Sequence, residues 1–208
     1  MKKKRVVVYV DGFNLYHALK DLKDERIKWV NIWSLSESLT RGGEDLCGVK
    51  YFSAYATWKP EQYAHHRAYV SFLECFDVET VLGKFKGGKN VVCNKCGERW
   101  AHHEEKETDV NIALNILRDG FEDNFDRAII ITADSDLVPV IKQCKELFPK
   151  KEIFVATPPG RHNNAHEIRS FAPNMNISKS KVKQHLLPKK ITLYDGSEVC
   201  MPEKYQIR

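Results

Sequence analysis

Two short β-branched runs in this chain each end on an acid, and that pairing constrains the fold more than any other feature. In Ala128-Ile129-Ile130-Ile131-Thr132-Ala133-Asp134-Ser135-Asp136, a run suited to a strand buried on both faces stops in Asp-Ser-Asp. Beyond it the apolar spacing Leu137, Val140, Ile141, Cys144 becomes helical. The run Val6-Val7-Val8-Tyr9-Val10-Asp11-Gly12-Phe13-Asn14 repeats the arrangement. Here Gly12 permits a tight turn, and Asn14 begins or caps a helix to about residue 20. Strands alternating with helices imply a three-layer, mostly parallel α/β sheet. Open sheets of that kind hold their ligands at strand carboxyl ends, beside a topological switch point. The plainest use of the acids is helix capping, by Asp11 in one motif and by Ser135 or Asp136 in the other. One cap needs one side chain, so capping accounts for only about half of Asp134-Ser135-Asp136.

A third acid opens the most apolar helix. In Thr108-Asp109-Val110-Asn111-Ile112-Ala113-Leu114-Asn115-Ile116-Leu117, the residues Val110, Ala113, Leu114, Leu117 and Phe121 follow helical spacing and are expected to face the core. Asp109 lies at the N-terminal edge of that face, in register with Ile112, Ala113 and Ile116. The positive helix end favours an acid there, but a carboxylate is costly to bury alone. Lys106 is expected one turn earlier on the same face. Elsewhere the pattern predicts a helix over 31–41, loop at 41–45, a strand over 49–57, a helix opened by Pro60 to Cys75, and a strand over 77–84. The last core strand is 151–156, followed by a short helix over 165–171. From Asn174 the chain reads as basic and irregular, with a hairpin around Asp195-Gly196.

Residues 85–104 interrupt this alternation. A basic, Gly-containing turn at 84–89 leads into Cys93-Asn94-Lys95-Cys96-Gly97, a Cys-x-x-Cys-Gly turn on a β ribbon that resembles one zinc knuckle. His102 or His103 could supply a third ligand, although neighbours in extended chain point to opposite faces. No fourth ligand is identifiable, and a zinc held here would be structural. Of the six cysteines, Cys75 and Cys144 fall among apolar neighbours and read as buried thiols.

With 208 residues, 42% hydrophobic and 29% charged, the chain reads as a soluble domain over 1–172, carrying the 85–104 insertion and a basic extension at 173–208. No apolar run approaches the roughly 18 to 20 residues of a spanning helix. Met-Lys-Lys-Lys-Arg runs directly into a short strand rather than a signal core, so a cytoplasmic protein with no membrane partner is expected. The net charge of +5, with Lys and Arg enriched at 2–5, 84–89 and 179–190, is compatible with nucleic acid. A homo-oligomer is compatible with the sequence as well.

Side by side at a switch point, Asp11, Asp134 and Asp136 would converge, with Asp109 supplied from the preceding helix. Carboxylates so close either take up protons or hold a divalent cation. All-oxygen ligands suit Mg²⁺ or Mn²⁺, which polarise a phosphoryl oxygen and activate water. Asn14 and Ser135 could orient a ligand, and Lys106 with the basic clusters could hold a phosphate backbone. Phosphatase-like and receiver-like chemistry needs a later strand-end Lys, and none follows the Ile153 strand.

Val-Asp-Gly-Phe-Asn at 10–14, Glu-Lys-Glu-Thr-Asp-Val at 105–110 and Thr-Ala-Asp-Ser-Asp-Leu at 132–137 together resemble the NYN domain family of the PIN-like nuclease superfamily. Order and spacing agree over 5–172, and the Cys-x-x-Cys insertion resembles a bacterial branch. Ala133 stands where relatives often have Gly. The resemblance implies a PIN-like fold and a metal-dependent ribonuclease acting on RNA, with acidic roles for Asp11, Asp109, Asp134 and Asp136 and a supporting one for Asn14. An RNA-binding or protein-docking module with the same acidic pocket but no turnover is the alternative.

Overall fold

The computed structural model describes residues 3–92, 95–192 and 195–206. At its centre lies β1 (Lys4–Asp11), whose residues from Val6 to Asp11 are all buried. The chain continues through α1 (Gly12–Asp21), α2 (Ile32–Glu37), β2 (Glu44–Ser53), α3 (Pro60–Glu74) and β3 (Val78–Leu82). A ribbon of β4 (Lys84–Val92) and β5 (Arg99–Lys106) leads into α4 (Thr108–Phe121), β6 (Arg127–Ile131), α5 (Val138–Leu147) and β7 (Glu152–Thr157). Then come α6 (His166–Phe171), β8 (Asn174–Asn176), α7 (Lys179–Gln184), β9 (Lys190–Thr192) and β10 (Glu198–Cys200).

Six strands form one sheet in the order β3-β2-β1-β6-β7-β8, and every neighbouring pair is parallel. From β1 the chain steps outward to β2 and β3, and from β6 it steps the other way to β7 and β8. The β1–β6 seam is therefore the switch point, with Val10 opposite Ile131 at its carboxyl end. Alternation along β1 divides the core. Val6, Val8 and Val10 pack with Leu15, Leu19, Trp29 and Phe72 on one face, while Val7 and Tyr9 pack with Ile112, Ile116, Ile141 and Ile168 on the other. Each such side chain contributes roughly 1.5–3 kcal/mol when fully buried. Among the described residues, no helix is long and apolar enough to cross a membrane.

Several expectations are corrected. Helix α4 buries Thr108, Ile112, Ile116 and Asp119, and of the expected stripe only Ala113 and Leu117 pack, partly buried, against the core. Val110, Leu114 and Phe121 are 60%, 58% and 69% exposed. The inward stripe was disguised by Asp119, a buried acid. Its Oδ2 accepts from Tyr9 Oη at 2.7 Å and faces Lys50 Nζ at 2.7 Å, and its Oδ1 accepts from Asn124 Nδ2 at 3.1 Å. Lys106 is strand residue in β5, opposite Lys84, not a turn of α4. The basic 84–89 segment is strand rather than turn, with a register break between Lys86 and Lys89. Cys75 is exposed and Cys144 is buried. Strand β2 begins at Glu44, within the expected loop, and α2 stops at Glu37.

The stretch after residue 172 is less irregular than its composition suggests. Asn174–Asn176 adds the sixth strand beside β7. Ile177, Val182, Leu187, Met201 and Tyr205 join the first core face, and Tyr205 stacks on Trp29 at 5.6 Å. The anticipated hairpin exists as β9 paired antiparallel with β10.

Candidate active site

Parallel register puts the ends of β1 and β6 level, and one hydroxyl joins them. Thr132 Oγ1 donates to Asp11 Oδ2 at 2.9 Å and accepts from Asp134 N at 3.0 Å. Asp11 is the N-cap of α1, its Oδ1 accepting from Asn14 N at 3.0 Å. Asn14 Oδ1 in turn accepts from Ala133 N at 3.0 Å, so the Asn ties the two strand-end turns together. Gly12 is required by close approach: an added Cβ would stand 2.5 Å from Phe52 O and 2.6 Å from the Tyr51 ring. After β6, Asp134 itself is the cap, accepting from Asp136 N at 3.0 Å in a 3₁₀ turn over Ser135–Leu137. Capping there falls to Asp134 and not to Ser135 or Asp136.

Asp109 enters from the third side. The chain passes from β5 into α4 through Glu107, whose φ of 80° is left-handed and sterically unfavourable for a side-chain-bearing residue. Glu105, the residue two before it, accepts from Thr108 N at 3.0 Å and from the Thr108 hydroxyl, fixing the first turn of α4. A cleft of about 490 Å³ results, lined by Asp11, Asp109, Asp134, Glu105, Asn14 and Ser135, with His17, Arg161 and Asn164 on its remaining wall. Asp136 is exposed and lies outside that lining.

Electrostatics mark the cleft as a place short of positive charge. Burial pushes the Asp11 carboxyl up to about 7; its bonds from Asn14 N and Thr132 act in the opposite sense, while Asp109 and Asp134 add to the rise. Asp109 is pushed up to about 6, first by burial and then by Asp134, Glu105 and Asp136. Arg161 brings one guanidinium to the wall and pairs with Asp21. Among the described residues no three His, Cys, Asp or Glu side chains gather closely enough to hold an ion without help. Mg²⁺ and Mn²⁺ keep several waters and take one or two protein carboxylates, so the hard oxygen donors present fit such an ion.

Four residues around this site are not conspicuous in the sequence. Glu105 and Thr132 open two of the family-like motifs but are not the acids that end a strand or start a helix, and Arg161 and His17 lie in segments without a chemical signature. Lys106, conversely, is not in the cleft lining; its Nζ donates to Glu104 Oε1 at 2.6 Å.

The knuckle expectation fares differently. Cys93 lies outside the described residues, as does the side chain of His102, whose backbone pairs with Lys89. Cys96 is exposed in the ribbon turn before Arg99. His103 lies in β5, four residues beyond Arg99. Its ring lies flat on Trp58, 3.7 Å between centroids, and Phe85 meets both Trp58 and Phe13 edge-on at 4.6 and 5.6 Å. The base of the ribbon is thereby fastened to the rim of the cleft.

The chain is 24% identical over 175 residues to the 6-hydroxy-3-succinoylpyridine 3-monooxygenase HspA of Pseudomonas putida (strain DSM 28022 / S16), a match covering 68% of this chain and 55% of that relative. The chain therefore spans about half the length of this curated relative. A crystal structure of a protein of unknown function from Vibrio parahaemolyticus RIMD 2210633 superposes with a TM-score of 0.55 at 18% identity, covering 89% of this chain and 98% of that one, and so shares the fold. The family model described as NYN domain matches residues 5–176, a span that runs from β1 through β8 and holds every acid of the cleft. The chain belongs to the NYN domain family, within the PIN-like nuclease superfamily.

Proposed function

We propose that this protein is an endoribonuclease that hydrolyses RNA phosphodiester bonds at the Asp11, Asp109 and Asp134 cleft with Mg²⁺ or Mn²⁺. One observation carries the reading: oxygen donors from three separate elements face one cleft, and burial with mutual repulsion raises the proton affinity of Asp11 and Asp109 toward neutrality. A divalent cation competes directly with those protons. When bound, such an ion polarises a phosphoryl oxygen and lowers the pKa of a water it holds.

In this reading Asp11, Asp109 and Asp134 hold the ion, one or two of them directly and the rest through its waters, with Glu105 in the same cleft lining and Asp136 outside it. Thr132 and Asn14 are positioning residues that fix the Asp11 carboxylate and the turn bearing Asp134. Arg161, which also pairs with Asp21, and Ser135 line the same cleft and would meet a phosphate there. A structural zinc on the ribbon forms no part of the mechanism.

An RNA cleavage assay in Mn²⁺, comparing wild type with D11N and D134N, tests the reading. Wild type should cut and both variants should lose at least a hundredfold in rate, as removal of directly acting groups commonly does. RNA that is bound but uncut by wild type would leave a binding module with an idle acidic pocket, and RNA cut equally by the variants would refute a role for these acids in the cleavage.

A further inference from the structure

A second concavity lies on the other side of the α1 N-terminus. It shares Phe13 with the carboxylate cleft and begins at Gly12, the residue after Asp11. Its volume is about 150 Å³. An apolar cavity of about that size accommodates one benzene ring. The walls are aromatic: Tyr51 and Tyr69 meet edge-on at 6.0 Å, and Trp29 meets Tyr69 at 5.5 Å. Tyr16, 41% exposed, also lines the cavity.

Two polar atoms in these walls lack what buried polar atoms ordinarily have. His66 Nε2 and His65 Nδ1 are buried without a hydrogen-bond partner. The nearest carboxylate oxygen to His65 Nδ1 is Glu61 Oε1 at 3.9 Å, too long for a hydrogen bond. Burial pushes the His66 imidazole down to about 4, so near neutral pH it is uncharged and offers one donor and one acceptor. An unpartnered buried ring nitrogen is costly; each of these exposes almost no surface, so a ligand supplies the missing partner once the imidazole flips in its own plane and turns that nitrogen to the cavity. Tyr51 and Tyr55 stand edge-on to the His66 ring at 6.4 and 5.0 Å, which fixes its plane. Lys204 also lines the cavity and suits a flanking phosphate, whereas Lys28 beside it is paired with Glu25.

We propose that this cavity is a base pocket, receiving one pyrimidine ring of the nucleotide next to the phosphate held at the carboxylate cleft. Single-stranded RNA is read in this manner, by unstacked bases that lie among aromatic side chains and are hydrogen-bonded on their edges. Ring size favours a pyrimidine over the fused purine system. The edge of uracil or cytosine carries both donors and acceptors, which neutral histidines complement. The placement rests on the ribonuclease reading for its substrate, whereas ring binding itself does not.

Binding is therefore measured apart from cleavage, in EDTA, with uridine 5′-monophosphate, adenosine 5′-monophosphate and a short oligouridylate. Uridine monophosphate should bind at least tenfold more tightly than adenosine monophosphate, and oligouridylate at least as well as the mononucleotide. H66F keeps an aromatic ring and removes the nitrogens. A56W fills the cavity from its half-exposed wall and touches none of the acids. Each should weaken uridine monophosphate tenfold or more, and each should flatten a cleavage preference for pyrimidine sites. Equal binding of both mononucleotides, or unchanged binding in both variants, overturns the pocket. So does binding of the mononucleotide without the oligonucleotide, which would mark a site for free nucleotides. Cleavage that D11N abolishes but that shows no base preference, with no uridine monophosphate bound, sinks the pocket and leaves the ribonuclease standing. Selective uridine monophosphate binding lost in H66F, with no RNA cut, does the reverse.

Discussion

Replacing Asp11 by Asn removes a buried charge and little else. The Asn side-chain oxygen can still accept from Asn14 N, and its NH₂ can donate to Thr132 Oγ1 once that hydroxyl turns. Burial lifts the wild-type carboxyl from 3.8 to about 7. The folded protein thus retains a proton at pH values where the unfolded chain has already released it. Stability associated with this group is fully present below pH 4, is lost progressively as pH rises toward 7, and is gone above that. The whole interval corresponds to about 4 kcal/mol at most. For a domain of this size, 1 kcal/mol moves Tm by about 2–4 °C. In EDTA, wild type and D11N should therefore melt alike near pH 4. By pH 8 the D11N variant should melt higher, by up to roughly 10 °C. Mn²⁺ at a hundredfold excess over its Kd would restore about 2.7 kcal/mol to wild type and nothing comparable to D11N. Thermal melts across pH, with and without Mn²⁺, provide the assay. Parallel Tm curves for the two proteins in EDTA, or equal stabilisation of both by Mn²⁺, would refute the argument that Asp11 is a destabilising charge awaiting a cation.

Thr132→Val should destabilise the fold by about 1–3 kcal/mol, because Asp134 N loses its acceptor and Asp11 loses a donor. Since that lost bond favours ionised Asp11, the acid limb of the pH–rate profile should also move to higher pH; an unmoved limb would restrict Thr132 to a packing role. On α4, Ile112→Ala should cost about 2–4 kcal/mol by urea denaturation, and Leu114→Ala no more than about 0.5. Equal losses would mean that the two stripes of the helix had been assigned to the wrong faces.

Legibility in the sequence followed chemical uniformity. The β1 and β6 runs were plain because both faces of each strand are apolar, and the acids that end them were plain for the same reason. Helix α4 misled because its inward face mixes Ile112 and Ile116 with Thr108 and Asp119, while its outward face carries Val110, Leu114 and Phe121. An apolar tally chooses the outward stripe. Only the sheet opposite, with Tyr9 and Lys50 waiting to meet Asp119, selects the inward one. The same logic hid β8 and the tail. Asn174–Asn176 has no strand signature of its own and becomes a strand because β7 has a free edge, with Asn174 beside Val155.

The site shows a further division, between groups that bear charge and groups that direct it. Asp11, Asp109 and Asp134 could be named in advance because a carboxylate at a strand end or helix start is chemically conspicuous. Thr132 could not, since one hydroxyl among apolar residues looks like any other. Yet Thr132 is what makes the two strand ends a single unit, bonding the carboxylate of one and the backbone of the other. Asn14 completes a second bridge between the same two turns through Ala133 N. Ala133 contributes only its N–H to that bridge, so a residue expected from relatives to be Gly is accommodated as Ala without altering the acids. Two independent links across one seam mean that motion of β1 against β6 breaks both together. The links hold Asp11 and the turn bearing Asp134 at one seam, and burial, with a smaller contribution from the neighbouring carboxylates, raises the proton affinities of Asp11 and Asp109.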